Sequence, residues 1–274
     1  MKITRIAAAA SLLCLASSAV FAQAKAPEPD YTLGFNAAVT TDYRYRGLSQ
    51  SRGKPALSAG VDFSHKSGFY LGAWGSTIKW IKDDGRKAGG LDSGNANLEI
   101  DLFGGYKGEI AKDFGYDVGV LQYWYPSNKY SNLTGTSANT TELYGALTYG
   151  VFTAKYSRSM TNLFGFAAPN TSSKGSGYLD LSANFDLGNG WSVAPHIGHQ
   201  KVKNFSDYSY TDYSVTVNKD LGNGLVVSGA FVGTDAGKDS AGVPWYATPV
   251  GNGVSTASKD NGRNGIVLTL KYSF

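Results

Sequence analysis

The chain ends in the segment Ile266-Val267-Leu268-Thr269-Leu270-Lys271-Tyr272-Ser273-Phe274. Every second residue of this segment is large and apolar, whereas the residues between them are mostly small or polar. Because the side chains of a β-strand alternate between its two faces, the segment has one apolar and one polar face. Such a strand, stopping on an aromatic residue, is typical of the last strand of a bacterial outer-membrane β-barrel, and a soluble β-sandwich is the alternative. We predict that Leu270, Tyr272 and Phe274 form the signal that the barrel assembly machinery reads.

The first 22 residues have the pattern of a secretory signal peptide. In order they contain the positive charges of Lys2 and Arg5, an apolar run over 6–15, and the small-residue cleavage pattern Val20-Phe21-Ala22. The apolar run is too short to cross a bilayer as a helix. The sequence therefore predicts a signal peptide over 1–22 and a single barrel domain over 23–274. Cys14 is the only cysteine, so the mature chain offers no thiol for a disulfide or for catalysis.

The period-two alternation of the last segment recurs along the chain and predicts twelve strands. The clearest case runs from Tyr31 to Arg46, and it places Tyr43 and Tyr45 on the apolar face. In the third strand the alternation slips, which predicts a β-bulge near Gly75. The predicted strands are 31–46, 57–64, 69–80, 97–102, 114–125, 142–147, 152–158, 179–185, 191–201, 212–217, 225–233 and 266–274.

The lengths of the predicted connections alternate. Those after even-numbered strands are mostly tight, as at Leu187-Gly188-Asn189-Gly190, and the segment 107–113 is the predicted turn after the fourth strand. Those after odd-numbered strands are mostly long and polar, as at 82–95 and 234–263. Outer-membrane barrels have an even number of strands, short periplasmic turns and longer outer loops. We therefore predict an all-β fold, a transmembrane antiparallel up-and-down β-barrel of about 12 strands with both termini periplasmic.

Charged residues of the predicted strands fall on the face opposite the apolar one. They are Asp42, Arg44, Arg46, Asp62, Glu99, Asp101, Asp117, Glu142, Asp180 and Asp212. An arginine or lysine that faces lipid at the middle of the membrane costs roughly 2–4 kcal/mol, and an acid costs less. These residues should therefore line the lumen of a pore. A hydrated pore that sorts solutes by charge is one interpretation, and a plugged lumen in which the charges only pair with one another is the other.

The remaining sequence offers little for catalysis, metal binding or nucleic-acid binding. His196 and His199 are three residues apart, so on a strand they point to opposite faces and cannot both coordinate one metal ion. A hydrolase of the outer membrane would need a serine and a histidine two positions apart on one strand face, whereas His65 and Ser67 lie at a predicted turn. The formal charge of +4, which falls to +2 without the signal peptide's two basic residues, is too small to indicate nucleic acid. We expect no catalytic residues, no cofactor and no bound metal.

A more specific pattern begins in the predicted first strand. It reads Thr41-Asp42-Tyr43-Arg44-Tyr45-Arg46-Gly47-Leu48-Ser49-Gln50-Ser51 and then Gly53-Lys54-Pro55-Ala56-Leu57, and it is followed by Ser67-Gly68-Phe69-Tyr70, Leu98-Glu99-Ile100-Asp101-Leu102, Tyr116-Asp117-Val118-Gly119 and Asn139-Thr140-Thr141-Glu142-Leu143-Tyr144-Gly145. These stretches resemble the TorF family of bacterial outer-membrane porins, and the similarity covers essentially the mature chain. The resemblance implies an outer-membrane β-barrel with a role in transport. It carries over no catalytic or ligand-binding residues, although Asp42, Arg44 and Arg46 match the family's pattern.

Together these patterns predict a porin-like channel in the outer membrane of a Gram-negative bacterium, for passive diffusion of small hydrophilic solutes or ions. Its partners would be outer-membrane lipid, the barrel assembly machinery during insertion and the solutes, without nucleic acid, and a homo-oligomer is compatible with the fold. The main alternative is a non-conducting barrel with a structural or surface-interaction role that uses the long loops. An outer-membrane hydrolase is a further alternative.

Overall fold

Twelve strands form one sheet in the computed structural model, which describes residues 29–249 and 258–274. They are β1 (Tyr31–Thr40), β2 (Ala56–His65), β3 (Phe69–Thr77), β4 (Leu98–Ala111), β5 (Phe114–Trp124), β6 (Thr140–Tyr149), β7 (Phe152–Ser159), β8 (Gly177–Ala183 and Phe185–Gly188), β9 (Trp191–Lys201), β10 (Tyr210–Asp220), β11 (Leu225–Thr234) and β12 (Gly265–Ser273). The two pieces of β8 flank a break at Asn184, and both pair with β9. The predicted signal peptide over 1–22 lies outside the described residues, so its boundary stays a prediction.

The sheet closes on itself. Consecutive strands pair antiparallel around the sheet, and β1 pairs with β12 as well as with β2. At this seam Asn36 lies opposite Ser273, and Thr40 lies opposite Thr269. Each of the twelve described strands therefore has a partner on both sides, which is the condition for a sheet to cross a membrane. The prediction of an all-β, closed, twelve-stranded antiparallel barrel is confirmed.

The alternation of side chains places apolar residues outside the barrel and polar residues inside it. On the outside, Leu268 is 55 % exposed and Ile266 is 75 % exposed. Their inward-facing counterparts, such as Asn36 and Thr269, are buried or half-buried. A continuous belt of exposed apolar side chains is stable in lipid and not in water. The closed barrel and its apolar belt together rule out the soluble β-sandwich.

Short and long connections lie at opposite ends of the barrel, which we call the turn end and the loop end. At the turn end, Asn189-Gly190 and Asn223-Gly224 have positive φ at both residues, as two-residue hairpin turns require. β4 extends to Ala111 because its last residues pair with β5, so the turn after β4 is shorter than the predicted 107–113. The loop end carries the long connections after β1, β3, β5, β7 and β11, and a shorter one after β9.

The connections at the loop end have structure of their own. Helix α1 (Trp80–Lys87) follows β3, and helix α2 (Ser131–Thr134) follows β5. Short antiparallel pairs join Arg44–Tyr45 to Leu48–Ser49, Ala167–Ala168 to Thr171–Ser172, and Ala247–Pro249 to Ser258–Asp260. Neither α-helix of the described residues is long and apolar enough to cross a membrane.

The first strand is shorter than predicted. β1 ends at Thr40 rather than at Arg46, and residues 41–55 fold back into the barrel. We call residues 41–55 the inturned segment. Tyr43 and Tyr45 consequently point into the barrel and not toward lipid, which corrects their predicted position.

The predicted bulge in the third strand is absent from β3. Its register with β2 runs without a shift through Gly75. Trp74 therefore takes an inward position, where its ring contacts the ring of Tyr43 with centroids 5.3 Å apart. The alternation looked shifted in the sequence because this apolar side chain packs inside the barrel against the inturned segment.

Candidate functional site

The inturned segment is organised around the carboxylate of Asp42. This carboxylate accepts hydrogen bonds from Arg44 Nε at 2.6 Å, Ser49 Oγ at 2.5 Å, Ser51 Oγ at 3.0 Å and the backbone N–H of Gly53 at 3.0 Å. Asp42 is almost fully buried. A buried carboxylate is stable only when it is paired and hydrogen-bonded, and these four donors meet that requirement. Asp42 thus links the part of the inturned segment that precedes its turn to the part that follows it.

The tip of the segment is a tight turn pressed against the barrel wall. Arg46 and Gly47 both have positive φ, +46° and +76°. A Cβ atom on Gly47 would lie 2.5 Å from Cγ2 of Thr234 and 2.7 Å from Cβ of Asp212. Only glycine fits this close approach to β10 and β11.

The turn directs the side chain of Arg46 into the lumen, toward β6, β8 and β9. Its Nη2 lies 2.7 Å from Oε2 of Glu142 on β6, and its Nη1 lies 3.1 Å from Oε1 of the same carboxylate. Nη1 also donates to Oε1 of Gln200 on β9 at 2.6 Å, and the guanidinium stacks 4.1 Å from the ring centroid of Tyr178 on β8. The Arg46 and Glu142 side chains are 7 % and 2 % exposed. This is a buried, bidentate ion pair, the geometry in which an arginine binds a carboxylate most strongly.

Aromatic residues of the inturned segment pack into an apolar cluster at the loop end. We call this cluster the loop-end core; its buried members are Ile78, Ile81, Ala96, Tyr123, Tyr125 and Ala138. The hydroxyl of Tyr43 donates to the buried carboxylate of Glu99, and the hydroxyls of Tyr45 and Tyr123 lie 2.6 Å apart. The loop-end core and the inturned segment therefore narrow the loop-end half of the lumen.

A histidine lies between two carboxylates on the wall near the Arg46 pair. Nε2 of His196 is 2.9 Å from Oδ1 of Asp212, and Nδ1 is 3.4 Å from Oδ2 of Asp180. The hydroxyl of Tyr178 donates to Oδ2 of Asp212 at 2.9 Å. His199 points to the outer surface, as the strand alternation predicts. Across residues 29–249 and 258–274 no group of His, Cys, Asp or Glu side chains is placed to hold a metal ion.

The turn-end half of the lumen is less tightly packed. Asp62, Asp117 and Lys155 point inward from β2, β5 and β7 and remain half-buried. Oδ1 of Asp117 accepts a hydrogen bond of 2.5 Å from the hydroxyl of Tyr70, and the ammonium of Lys155 lies 4.0 Å from the ring centroid of Tyr144. Charged groups on an inner wall that keep part of their surface exposed are in contact with water.

The structure places all ten charged residues predicted for the pore on the inner side of the barrel wall. It brings three groups together: Asp42 with Arg44, Arg46 with Glu142, and Asp180 with His196 and Asp212. Whether they take part in conduction stays a prediction. Sequence reasoning missed the partners Tyr43, Tyr45, Trp74, Tyr178 and Gln200. The inward position of Tyr178 could have been predicted, because it lies two residues before Asp180 and therefore on the same face of the strand.

Comparisons with known proteins agree with this architecture. The family model described as "Bacterial protein of unknown function (Gcw_chp)" matches residues 23–274. The solved KdgM porin is similar with a TM-score of 0.51 at 8 % identity, covering 88 % of this chain and 99 % of that chain. The NanC porin follows with a TM-score of 0.49 at 10 % identity, covering 89 % and 99 %. No curated protein sequence matches this chain. The similarity to the KdgM porin supports a porin-like barrel fold.

Proposed function

This chain belongs to the Gcw_chp family of bacterial proteins, and we propose that it is a porin-like outer-membrane channel for passive diffusion of small hydrophilic solutes or ions. The observation that carries the proposal is the set of charged, water-accessible side chains on the inner wall of the turn-end half. The resemblance of residues 41–57 to the TorF porins supports the same function.

The turn-end half of the lumen has the properties of a vestibule. A lumen closed by side-chain packing would bury its charges, because a partly hydrated charge leaves space that packing would fill. Instead Asp62 and Asp117 keep part of their surface exposed although they point into the barrel. Water and small polar solutes would enter the barrel from this end.

The inturned segment would act as the constriction of this channel. It crosses the loop-end half of the lumen and is held by Arg46 on Glu142 and by Tyr43 on Glu99. A pore narrowed by charged side chains selects solutes by size and charge. This arrangement favours small solutes over large ones.

The apolar belt and the loop lengths support an orientation for the barrel. In barrels of this class short turns face the periplasm and long loops face outward. We therefore propose that the turn end and both termini are periplasmic, and that the loop end faces outward from the outer membrane.

Conductance in planar lipid bilayers tests the channel directly. We expect the purified, folded barrel to produce steady ohmic current steps. The absence of current steps from a barrel whose heat-modifiable gel migration shows correct folding would contradict the proposal.

A non-conducting barrel with a structural or surface-interaction role is the second candidate. The loop-end core favours it, because Tyr123, Tyr125 and the inturned segment occupy part of that half of the lumen. The bilayer experiment also distinguishes the two candidates, since only a channel gives current steps.

Ion selectivity should follow the excess of acids on the inner wall. The pairs of Asp42 with Arg44 and of Glu142 with Arg46 neutralise one another, and acids outnumber bases among the remaining inward side chains. We expect a weak cation preference that increases at low salt, because screening decreases as the Debye length grows. The reversal potential across a KCl gradient measures it, and Asp117→Asn should reduce it. A clear anion preference in the unmodified protein would show that the acids do not control the current.

The C-terminal residue should be necessary for insertion into the outer membrane. Phe274 pairs with Phe35 through two backbone hydrogen bonds of 2.8 and 3.0 Å, and its ring stacks on that of Phe35 at 5.7 Å. Leu270, Tyr272 and Phe274 lie exposed on the outer surface, where an assembly receptor could reach them. Deleting Phe274 removes the last contact of the seam and the aromatic signal, so we expect the chain to be secreted but not inserted.

Fractionation of cells measures this result. Phe274→Tyr keeps the aromatic ring and serves as the matched control, which should insert normally. Normal outer-membrane levels of the deletion variant would exclude a role for Phe274 in recognition. Wild-type protein in the soluble periplasmic fraction would exclude the membrane barrel.

A further inference from the structure

A pocket rich in positive charge lies at the loop end, among the connections after β1, β3 and β11. Its volume is about 470 Å³, and it is lined by Arg52, Lys54, Lys79, Lys82 and Lys259 together with one acid, Asp83. We call it the mouth pocket. Its side chains are distinct from those that contact Arg46 in the lumen.

The mouth pocket carries more positive charge than its own acid neutralises. Oδ1 of Asp83 is engaged by Nη1 of Arg52 at 2.9 Å, and the other basic residues of the lining are lysines. A single carboxylate ligand would leave most of this charge uncompensated. A phosphate group carries about −1.5 to −2 charges at pH 7 and accepts several hydrogen bonds, so it matches the pocket better.

One lysine of the pocket lining, Lys259, is held in place by a backbone carbonyl. Nζ of Lys259 donates to the carbonyl of Arg52 at 2.9 Å. The ammonium also lies close to Gly53, whose φ of +62° is a conformation that glycine adopts without strain. Partial burial and the nearby charges of Arg263, Lys54 and Arg52 lower the pKa of Lys259, whereas Asp42 acts in the opposite direction. A bound anion would relieve this crowding of positive charge.

The size of the pocket indicates a ligand larger than an inorganic ion. Small-molecule sites usually measure about 300–1,000 Å³, and the mouth pocket falls in this range. The amide of Asn97, which also lines it, is suited to a sugar hydroxyl. We propose that the mouth pocket binds a phosphorylated sugar, supplied either as a free solute or as the phosphosugar headgroup of an outer-membrane lipid. The site does not require conduction through the barrel, so this proposal and the proposed function can fail separately.

Isothermal titration calorimetry of the purified, folded protein with glucose 1,6-bisphosphate tests the free-solute source. The double variant Lys54→Gln/Lys259→Gln should bind at least about tenfold more weakly, the effect of losing a charge-assisted hydrogen bond. The matched control is Lys174→Gln/Lys203→Gln, which removes the same charge from exposed positions in the loops after β7 and β9. Heat-modifiable gel migration establishes that both variants fold.

Native mass spectrometry tests the lipid source in a second arm. We expect the folded protein to retain diphosphorylated lipid A in preference to its dephosphorylated form, and the Lys54→Gln/Lys259→Gln variant to lose this preference. Weaker binding of either probe by the pocket variant, with the affinity of the control variant unchanged, supports the site. The probe whose binding weakens identifies the source of the ligand. Absence of binding for both probes, or equal weakening in both variants, would overturn the proposal.

Discussion

Arg46→Ala is expected to increase the single-channel conductance of the barrel. The guanidinium ties the tip of the inturned segment to Glu142 on β6, Gln200 on β9 and Tyr178 on β8. Breaking a buried ion pair by removing one partner costs about 3–5 kcal/mol. This loss should release the segment from the wall and widen the constriction. Planar-bilayer recordings of the folded variant measure the change.

Two further variants separate the ion pair from a general charge effect. Arg158→Ala removes the same charge from an exposed residue on β7 and should leave the conductance unchanged. Glu142→Gln removes the other half of the pair, so its effect should not add to that of Arg46→Ala in the double variant. Wild-type conductance in Arg46→Ala would show that the inturned segment does not form the constriction.

Leu268→Arg is expected to abolish assembly of the barrel, whereas Thr269→Arg should be tolerated. Leu268 lies on the apolar belt near the middle of β12 and is 55 % exposed toward lipid, where an arginine costs roughly 2–4 kcal/mol. Thr269 points into the lumen, where its Oγ1 donates to Oγ1 of Thr40 at 3.0 Å and a charge would not face lipid. The fraction of protein in the folded band of a heat-modifiable gel measures the difference.

These two substitutions are one residue apart and introduce the same side chain, so each is the control for the other. Equal loss of the folded band would show that the two faces of β12 do not differ in environment. A folded Leu268→Arg barrel in the outer membrane would place the apolar belt elsewhere.

Most of the barrel could be predicted from the sequence because its determinants are local. A strand alternates its faces with a period of two, and Asn-Gly pairs such as Asn223-Gly224 favour hairpin turns through their own backbone preferences. Even the last strand, with Leu268 outside and Thr269 inside, follows from adjacent residues alone. Once twelve such strands pair in order, closure of the sheet satisfies the backbone groups that an open edge would leave exposed to lipid.

The inward position of the inturned segment could not be predicted in this way. Residues 41–46 continue the alternation of β1, and nothing in their local pattern distinguishes a strand from a segment that turns inward. Their inward position depends on partners far along the chain, since Glu142 is 96 residues from Arg46 and Gln200 is 154 residues from it. The same holds for Trp74, whose inward position depends on Tyr43 as a packing partner. Backbone alternation is set by neighbouring residues, whereas the free energy that keeps a charged loop inside a barrel comes from ion pairs and ring contacts that exist only after the wall has closed.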